Sequence, residues 1–182
     1  MKRLFVAISI SPEIKENVKQ LYAELVKKGV DLKLVKMENL HFTLKFLGNI
    51  SEERISVIEE SITAALLGQK SFSLSLRGMG TFSNKDRITV VWIGVVDSPL
   101  ALLMKKISQK LEFERKKEGE DAPHLTIARV KSGKNPQWLK EIISEYKFKE
   151  FGTMVVEKVV LYESELGKEG AKYRVVREFS LE

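Results

Sequence analysis

The sequence contains no cysteine and only two histidines, and these two scarcities restrict its chemistry. Without cysteine the chain forms no disulfide, offers no thiolate nucleophile and has no Cys-type zinc site. The absence also suits a reducing compartment, so we expect a cytoplasmic protein. The apolar start at 3–10 runs directly into Ser11-Pro12-Glu13, a helix start. We therefore expect no signal peptide, no transmembrane span and no membrane partner.

The charge balance favours a polyanionic partner without identifying one. Lys and Arg number 31 against 25 Asp and Glu, which gives a net charge of +6 over 182 residues. A basic surface favours RNA. A Lys/Glu-rich composition is, however, equally typical of thermophile proteins that bind no nucleic acid. Charge alone therefore leaves the partner open, while the length predicts a single domain.

Hydrophobic spacing predicts alternating strands and helices. Short connections between successive strands favour antiparallel pairing, so the predicted class is α+β. A strand that carries His-x-Thr occurs in each half of the chain, and this repetition suggests two similar lobes. The charged stretch at 112–121 is predicted as a solvated helix end and loop. Predicted strands are 3–10, 32–35, 41–47, 71–77, 87–96, 124–130, 155–163 and 173–181; predicted helices are 11–29, 51–68, 98–111 and 136–146, and 166–171 is predicted as a loop.

The two histidines occur in matching tetrapeptides, His41-Phe42-Thr43-Leu44 and His124-Leu125-Thr126-Ile127. Residues two apart in a strand face the same side, roughly 6.5–7 Å from each other. Each histidine should therefore share a face with its threonine, while the intervening apolar residues pack behind. If the two strands lie side by side or across a cleft, two imidazoles and two hydroxyls surround one point.

Such a set suits the hydrolysis of a phosphodiester that has an internal 2′-oxygen. One imidazole accepts a proton from water, the other donates one to the departing ribose oxygen, and the hydroxyls bind phosphate oxygens. The sequence alone does not assign the acid and the base. Lys45 is expected on the face of His41 and Thr43, where it would neutralise phosphate. Arg129 is expected on the opposite face unless a bulge turns it, so it is the weaker candidate.

Other interpretations of these residues are less favoured but stay open. Zinc normally takes three or more protein ligands, and no His-Glu-x-x-His pattern or Asp cluster occurs, so we expect neither metal nor cofactor. A Ser-His-Asp site lacks its Gly-x-Ser-x-Gly elbow. Gly78-Met79-Gly80 is predicted as a simple turn. The His-x-Thr units could also serve packing alone, grip phosphate in a noncatalytic nucleotide- or RNA-binding module, or act on a small cyclic nucleotide.

The two motifs resemble the paired His-x-Thr-x signatures of the 2H phosphoesterase superfamily, and within it the RNA 2′,3′-cyclic phosphodiesterases, also called 2′-5′ RNA ligases. The resemblance extends over nearly the whole chain. It rests on 41–48 and 124–129, with similar flanks at 3–8, 80–82, 91–95, 161–164 and 170–173.

The resemblance implies a bilobal α+β fold, with two antiparallel sheets flanking a cleft, helices outside and lobes related by a pseudo-twofold axis. Residues 1–182 would form one domain with interleaved lobes, expected as a monomer. His41 would be the proton donor and His124 the proton acceptor, with Thr43 and Thr126 holding the phosphate of an RNA or nucleotide 2′,3′-cyclic end. Phe82, expected on a loop, would stack on a base or merely pack the loop. Hydrolysis would yield a 2′-phosphomonoester, and reversible 2′-5′ ligation would use the same site.

Overall fold

The computed structural model describes residues 1–29, 31–84, 87–96, 98–111, 122–131, 137–167 and 170–182. The predicted charged loop at 112–121 and the first residue of the predicted fourth helix lie outside the described residues. The strands are β1 Lys2–Ser9, β2 Leu32–Leu34, β3 His41–Ile50, β4 Phe72–Asn84, β5 Arg87–Val96, β6 His124–Val130, β7 Glu150–Val156, β8 Lys158–Gly167 and β9 Gly170–Ser180; the α-helices are α1 Pro12–Lys27, α2 Ile55–Leu66, α3 Leu100–Lys110 and α4 Gln137–Glu145.

The strands form one antiparallel sheet in the order β7-β4-β5-β6-β3-β1-β8-β9, with β2 also paired to β6. We call β3, β1, β8 and β9 the His41 half, and β7, β4, β5 and β6 the His124 half. The predicted α+β class is confirmed, although the two expected sheets are halves of one continuous sheet. They are joined where Phe42 of β3 pairs with Leu125 of β6.

Helices α1 and α3 cross between the halves of the sheet, whereas α2 and α4 pack on the half that contains the strand before them. Helix α1 follows β1 of the His41 half but packs on β7 of the His124 half, and α4 packs on β4. Helix α3 packs on β3, and α2 packs on α3 and β9. Helix α1 forms because Ser11 caps it, its Oγ accepting the Ile14 N–H at 3.2 Å, and because Ile14, Val18 and other apolar residues at helical spacing are buried. None of the helices in the described residues is long and apolar enough to cross a bilayer.

Three predicted boundaries differ from the structure. Strand β4 does not stop at Arg77 but continues to Asn84 through a register shift between Leu76 and Met79, so the predicted turn at 78–80 lies within the strand. The single strand predicted at 155–163 is two strands, β7 and β8, separated by Glu157. The described ends of the predicted 166–171 loop belong to the β8–β9 hairpin, where Gly167 pairs with Gly170.

Candidate active site

The strand register brings the two His-x-Thr units to one place. Phe42 and Leu125, 1% and 0% exposed, are paired between β3 and β6 and point into the core. Each histidine precedes its paired residue and each threonine follows it, and all four are half-buried. A local twofold axis through the pair therefore exchanges the two motifs, as the antiparallel geometry requires. The four polar side chains face the side opposite the core.

Both imidazoles are held by the same backbone contact. Nδ1 of His41 donates to the carbonyl of Asn39 at 2.7 Å, and Nδ1 of His124 donates to the carbonyl of Ala122 at 2.8 Å. A carbonyl can only accept, so Nδ1 carries the proton in each ring and Nε2 is the nitrogen that gains or loses one. Nε2 of His41 lies 3.0 Å from the Thr43 hydroxyl.

Burial lowers the pKa of both histidines, and the charge of His124 lowers the pKa of His41 further. Burial is the largest cause that lowers the pKa of His41, the Asn39 hydrogen bond opposes it, and the charge of His124 lowers that pKa further. Burial likewise lowers the pKa of His124 against its hydrogen bond to Ala122. The effect of one imidazole on the other follows from their proximity. The pair is therefore disposed to share one proton instead of carrying two.

Aromatic rings enclose each imidazole from its own half of the sheet. Phe5 and Tyr173 lie with ring centroids 4.9 Å and 5.3 Å from that of His41. Phe82 and Trp92 lie 4.7 Å and 6.5 Å from His124. These rings restrict rotation of the imidazoles and exclude water from one side of each. They are one structural source of the burial that lowers the pKa values.

Two matching β-bulges change the faces of the sheet on which Lys45 and Arg129 lie. The β1–β3 register omits Leu44 and the β5–β6 register omits Ile127, the fourth residue of each motif. Each extra residue reverses the alternation that follows it. Lys45, 7% exposed, consequently faces α3, where its Nζ donates to Ser108 Oγ at 3.2 Å. The prediction that Lys45 lies on the face of His41 is wrong.

Arg129 instead lies on the histidine face. It is exposed, and its charge acts to lower the pKa of Tyr173, the residue whose ring contacts His41. That pKa is nevertheless raised overall because burial of the phenol is the larger cause, while Arg3 acts in the same direction as Arg129. The bulge at Ile127 turns Arg129 toward the site, so the order of preference between Lys45 and Arg129 is reversed.

Phe82 lies in β4 and not in a loop, and its ring meets the edge of His124. No local pattern in the sequence selects Phe5, Tyr162 or Tyr173, which come from three different strands. A cavity of about 150 Å³ beside His41 is lined partly by Tyr162 and Tyr173. The Tyr162 hydroxyl is hydrogen-bonded to Ser9 Oγ at 2.6 Å in its wall.

The donor set of the site differs from that of a metal centre. Across the residues that the structure describes, no three His, Cys, Asp or Glu side chains lie close enough together to hold a metal ion. Metal-independent chemistry stays a prediction for a chelator experiment.

Comparison with known proteins finds relatives over the whole chain. The model of the family described as LigT like phosphoesterase matches residues 8–92 and again 93–173, so that each match contains one His-x-Thr unit. A Methanocaldococcus jannaschii protein named RNA 2′,3′-cyclic phosphodiesterase is 39% identical over 97% of this chain and 99% of its own length.

Solved structures agree with this assignment. A Thermus thermophilus protein superposes with a TM-score of 0.82 at 25% identity, covering 98% of this chain and 97% of its own. Escherichia coli LigT, crystallised in complex with ATP, superposes with a TM-score of 0.73 at 25% identity, covering 99% and 98%. The superpositions cover nearly the whole of each chain, so the matches share the two-lobed architecture. The chain belongs to the LigT-like phosphoesterase family.

Proposed function

We propose that this protein hydrolyses the 2′,3′-cyclic phosphate at the end of an RNA to a 2′-phosphomonoester, without a metal, using His41 and His124 as an acid–base pair. The observation that carries the proposal is the Phe42–Leu125 pairing, which relates the two His-x-Thr units by a local twofold on one face. The proposal is supported by the relatives named RNA 2′,3′-cyclic phosphodiesterase. A single two-lobed domain, a monomeric state and a cytoplasmic location stay predictions.

The proposed reaction balances with the groups present. Nε2 of neutral His124 accepts a proton from water as the water oxygen bonds to phosphorus. The bond between phosphorus and the 3′-oxygen breaks, and Nε2 of protonated His41 donates its proton to that oxygen. The 2′-ester bond remains. Thr43 and Thr126 hydrogen-bond to the non-bridging oxygens, and Arg129 offsets their charge. The same steps, with the 5′-hydroxyl of a second RNA in place of water, would join a 2′-5′ linkage, because the new bond forms between phosphorus and the 5′-oxygen while the 3′-oxygen leaves and the 2′-ester bond remains.

Hydrolysis of two matched substrates tests the proposal. A short RNA ending in a 2′,3′-cyclic phosphate and the mononucleotide with the same base are compared in the presence of EDTA. We expect turnover of both, with 2′-phosphate as the product and a higher kcat/KM for the RNA. Preference for the mononucleotide would favour a phosphodiesterase for small cyclic nucleotides. Binding without turnover would favour a noncatalytic module, and loss of activity in EDTA would contradict the metal-free mechanism.

Replacing Thr43 or Thr126 by valine should lower kcat/KM by about 10–100-fold, because a hydrogen bond to a charged phosphate contributes more than one between neutral groups. Valine keeps the shape of threonine and removes only the hydroxyl. Thr43→Ser and Thr126→Ser keep the hydroxyl and serve as controls that retain most of the activity. Steady-state kinetics on the cyclic mononucleotide measure the effect. Equal loss in the valine and serine variants would show that packing, not phosphate binding, is involved.

The pH dependence should be bell-shaped, since the reaction needs one protonated and one neutral histidine. Both histidine pKa values are lowered in the free protein, so the singly protonated pair is most populated below about pH 6.5 and kcat/KM should peak there. Bound phosphate is an opposite charge that raises both pKa values, so kcat should peak at higher pH. Initial rates across the acid-to-neutral range measure both profiles. A profile with one limb would contradict the pair.

A further inference from the structure

One row of residues crosses the His124 half from the proposed site to the edge of the sheet. His124 of β6 pairs with Gly94 of β5. Gly94 lies against the bulge of β4, where a side chain at Gly94 would approach the Arg77 carbonyl to 2.9 Å. Arg77 in turn pairs with Glu150 at the start of β7. At roughly 4.8 Å per strand, the row spans about 15 Å.

Backbone hydrogen bonds join the turn that precedes Glu150 to β4, the strand that contains Arg77 of this row. Gly78 N donates to the Lys149 carbonyl at 2.8 Å, and Met79 N donates to the Tyr146 carbonyl at 3.2 Å. Gly78, at φ +73°, allows the approach, because a side chain there would meet the Lys147 carbonyl at 2.5 Å. The turn is therefore held in a fixed position at the end of the row.

Phe148 projects from this turn with most of its surface uncovered. It is 68% exposed, so most of this apolar ring is in contact with solvent. The Arg77 guanidinium lies 5.8 Å and the Lys147 ammonium 5.3 Å from its ring centroid. The row consists of four residues that the structure describes, and Glu150 is the acidic residue among them. An exposed ring flanked by two cations is complementary to a nucleobase and its adjoining phosphates.

We propose that Phe148, Arg77 and Lys147 form a second contact for the RNA strand, in which an upstream base stacks on the Phe148 ring and the cations bind the backbone. The inference rests on the proposed function for its connection to the active site. It assigns the sheet row between His124 and Phe148 as the path of the strand away from its cyclic end. It therefore extends recognition from one nucleotide to several.

The test compares Phe148→Ala with the parent on two substrates that share one reacting end. These are a mononucleotide 2′,3′-cyclic phosphate and an RNA of about eight nucleotides with the same terminal nucleotide. We expect KM for the RNA to rise about tenfold, with kcat unchanged and with both constants for the mononucleotide unchanged. Phe148→Trp should restore the RNA KM, since indole also stacks. Arg77→Gln should reduce the salt dependence of that KM.

Leu67→Ala is the matched control, because Leu67 is also a large exposed side chain, 83% accessible, but follows α2 on the other half. It should change neither KM. Anisotropy of a fluorescein-labelled RNA of the same length measures binding without turnover, so the surface is tested even if the parent hydrolyses neither substrate and the proposed function fails. Unchanged RNA binding in Phe148→Ala, or an equal rise in KM for both substrates, would overturn the inference.

Discussion

His41→Ala and His124→Ala are each expected to lower kcat/KM for a 2′,3′-cyclic phosphate by about 10²–10⁴-fold. Each variant removes one of the two nitrogens that move protons in the proposed reaction, while its threonine neighbour still contacts phosphate. Both imidazoles are only half-buried, so the substitutions leave the Phe42–Leu125 contact beneath them intact. Steady-state kinetics in EDTA give the rates, and circular dichroism checks the fold. Near-full activity in either variant would exclude the acid–base pair.

The double variant His41→Ala/His124→Ala provides the internal control. Residues that act as a unit show strongly non-additive effects, so the double variant should lose little more than the more damaged single variant. If the fold-loss in kcat/KM of the double variant equalled the product of the two single losses, the histidines would contribute independently. Such a result would favour separate roles, for example one histidine in binding and one in catalysis.

Phe42→Ala is expected to reduce the free energy of unfolding by about 3–5 kcal/mol. The side chain is 1% exposed and lies where the two halves of the sheet meet, so truncation leaves a cavity that neither half can close alone. Urea denaturation followed by circular dichroism measures the change.

Phe46→Ala is the matched control for that measurement. Phe46 lies in the same strand but is 39% exposed, so its truncation should cost less than about 1 kcal/mol. Equal losses in the two variants would mean that the junction is not a principal source of stability.

Most of the secondary structure, and the face that each histidine shares with its threonine, can be predicted from the sequence because both depend on local periodicity. Period-2 alternation correctly places Thr43 with His41 and Phe42 behind them. It fails after the next residue, because the bulges at Leu44 and Ile127 are properties of pairing with β1 and β5 and carry no glycine or other local signal. The faces predicted for Lys45 and Arg129 are wrong because both residues come after these bulges.

Two other features of the structure cannot be predicted from local sequence patterns. Strands β7 and β8 are separated by Glu157 alone, and without glycine or proline to mark the change, periodicity predicts a single strand. The rings around the imidazoles come from distant strands, so spacing cannot select Phe5 or Tyr173. Their positions depend on the order of strands in the sheet.

The crossing of α1 has a consequence for the nascent chain. Its apolar face packs on β7, and β1 takes β8 as its second neighbour, so both elements leave the ribosome well before the residues beyond 150 that pack against them. At roughly 5–20 residues per second, the interval between Lys27 and Glu150 lasts about 6–25 seconds. During it Ile14 and Val18 lack their final cover and one edge of β1 is open. Synthesis therefore leaves a window in which chaperone binding or aggregation competes with folding.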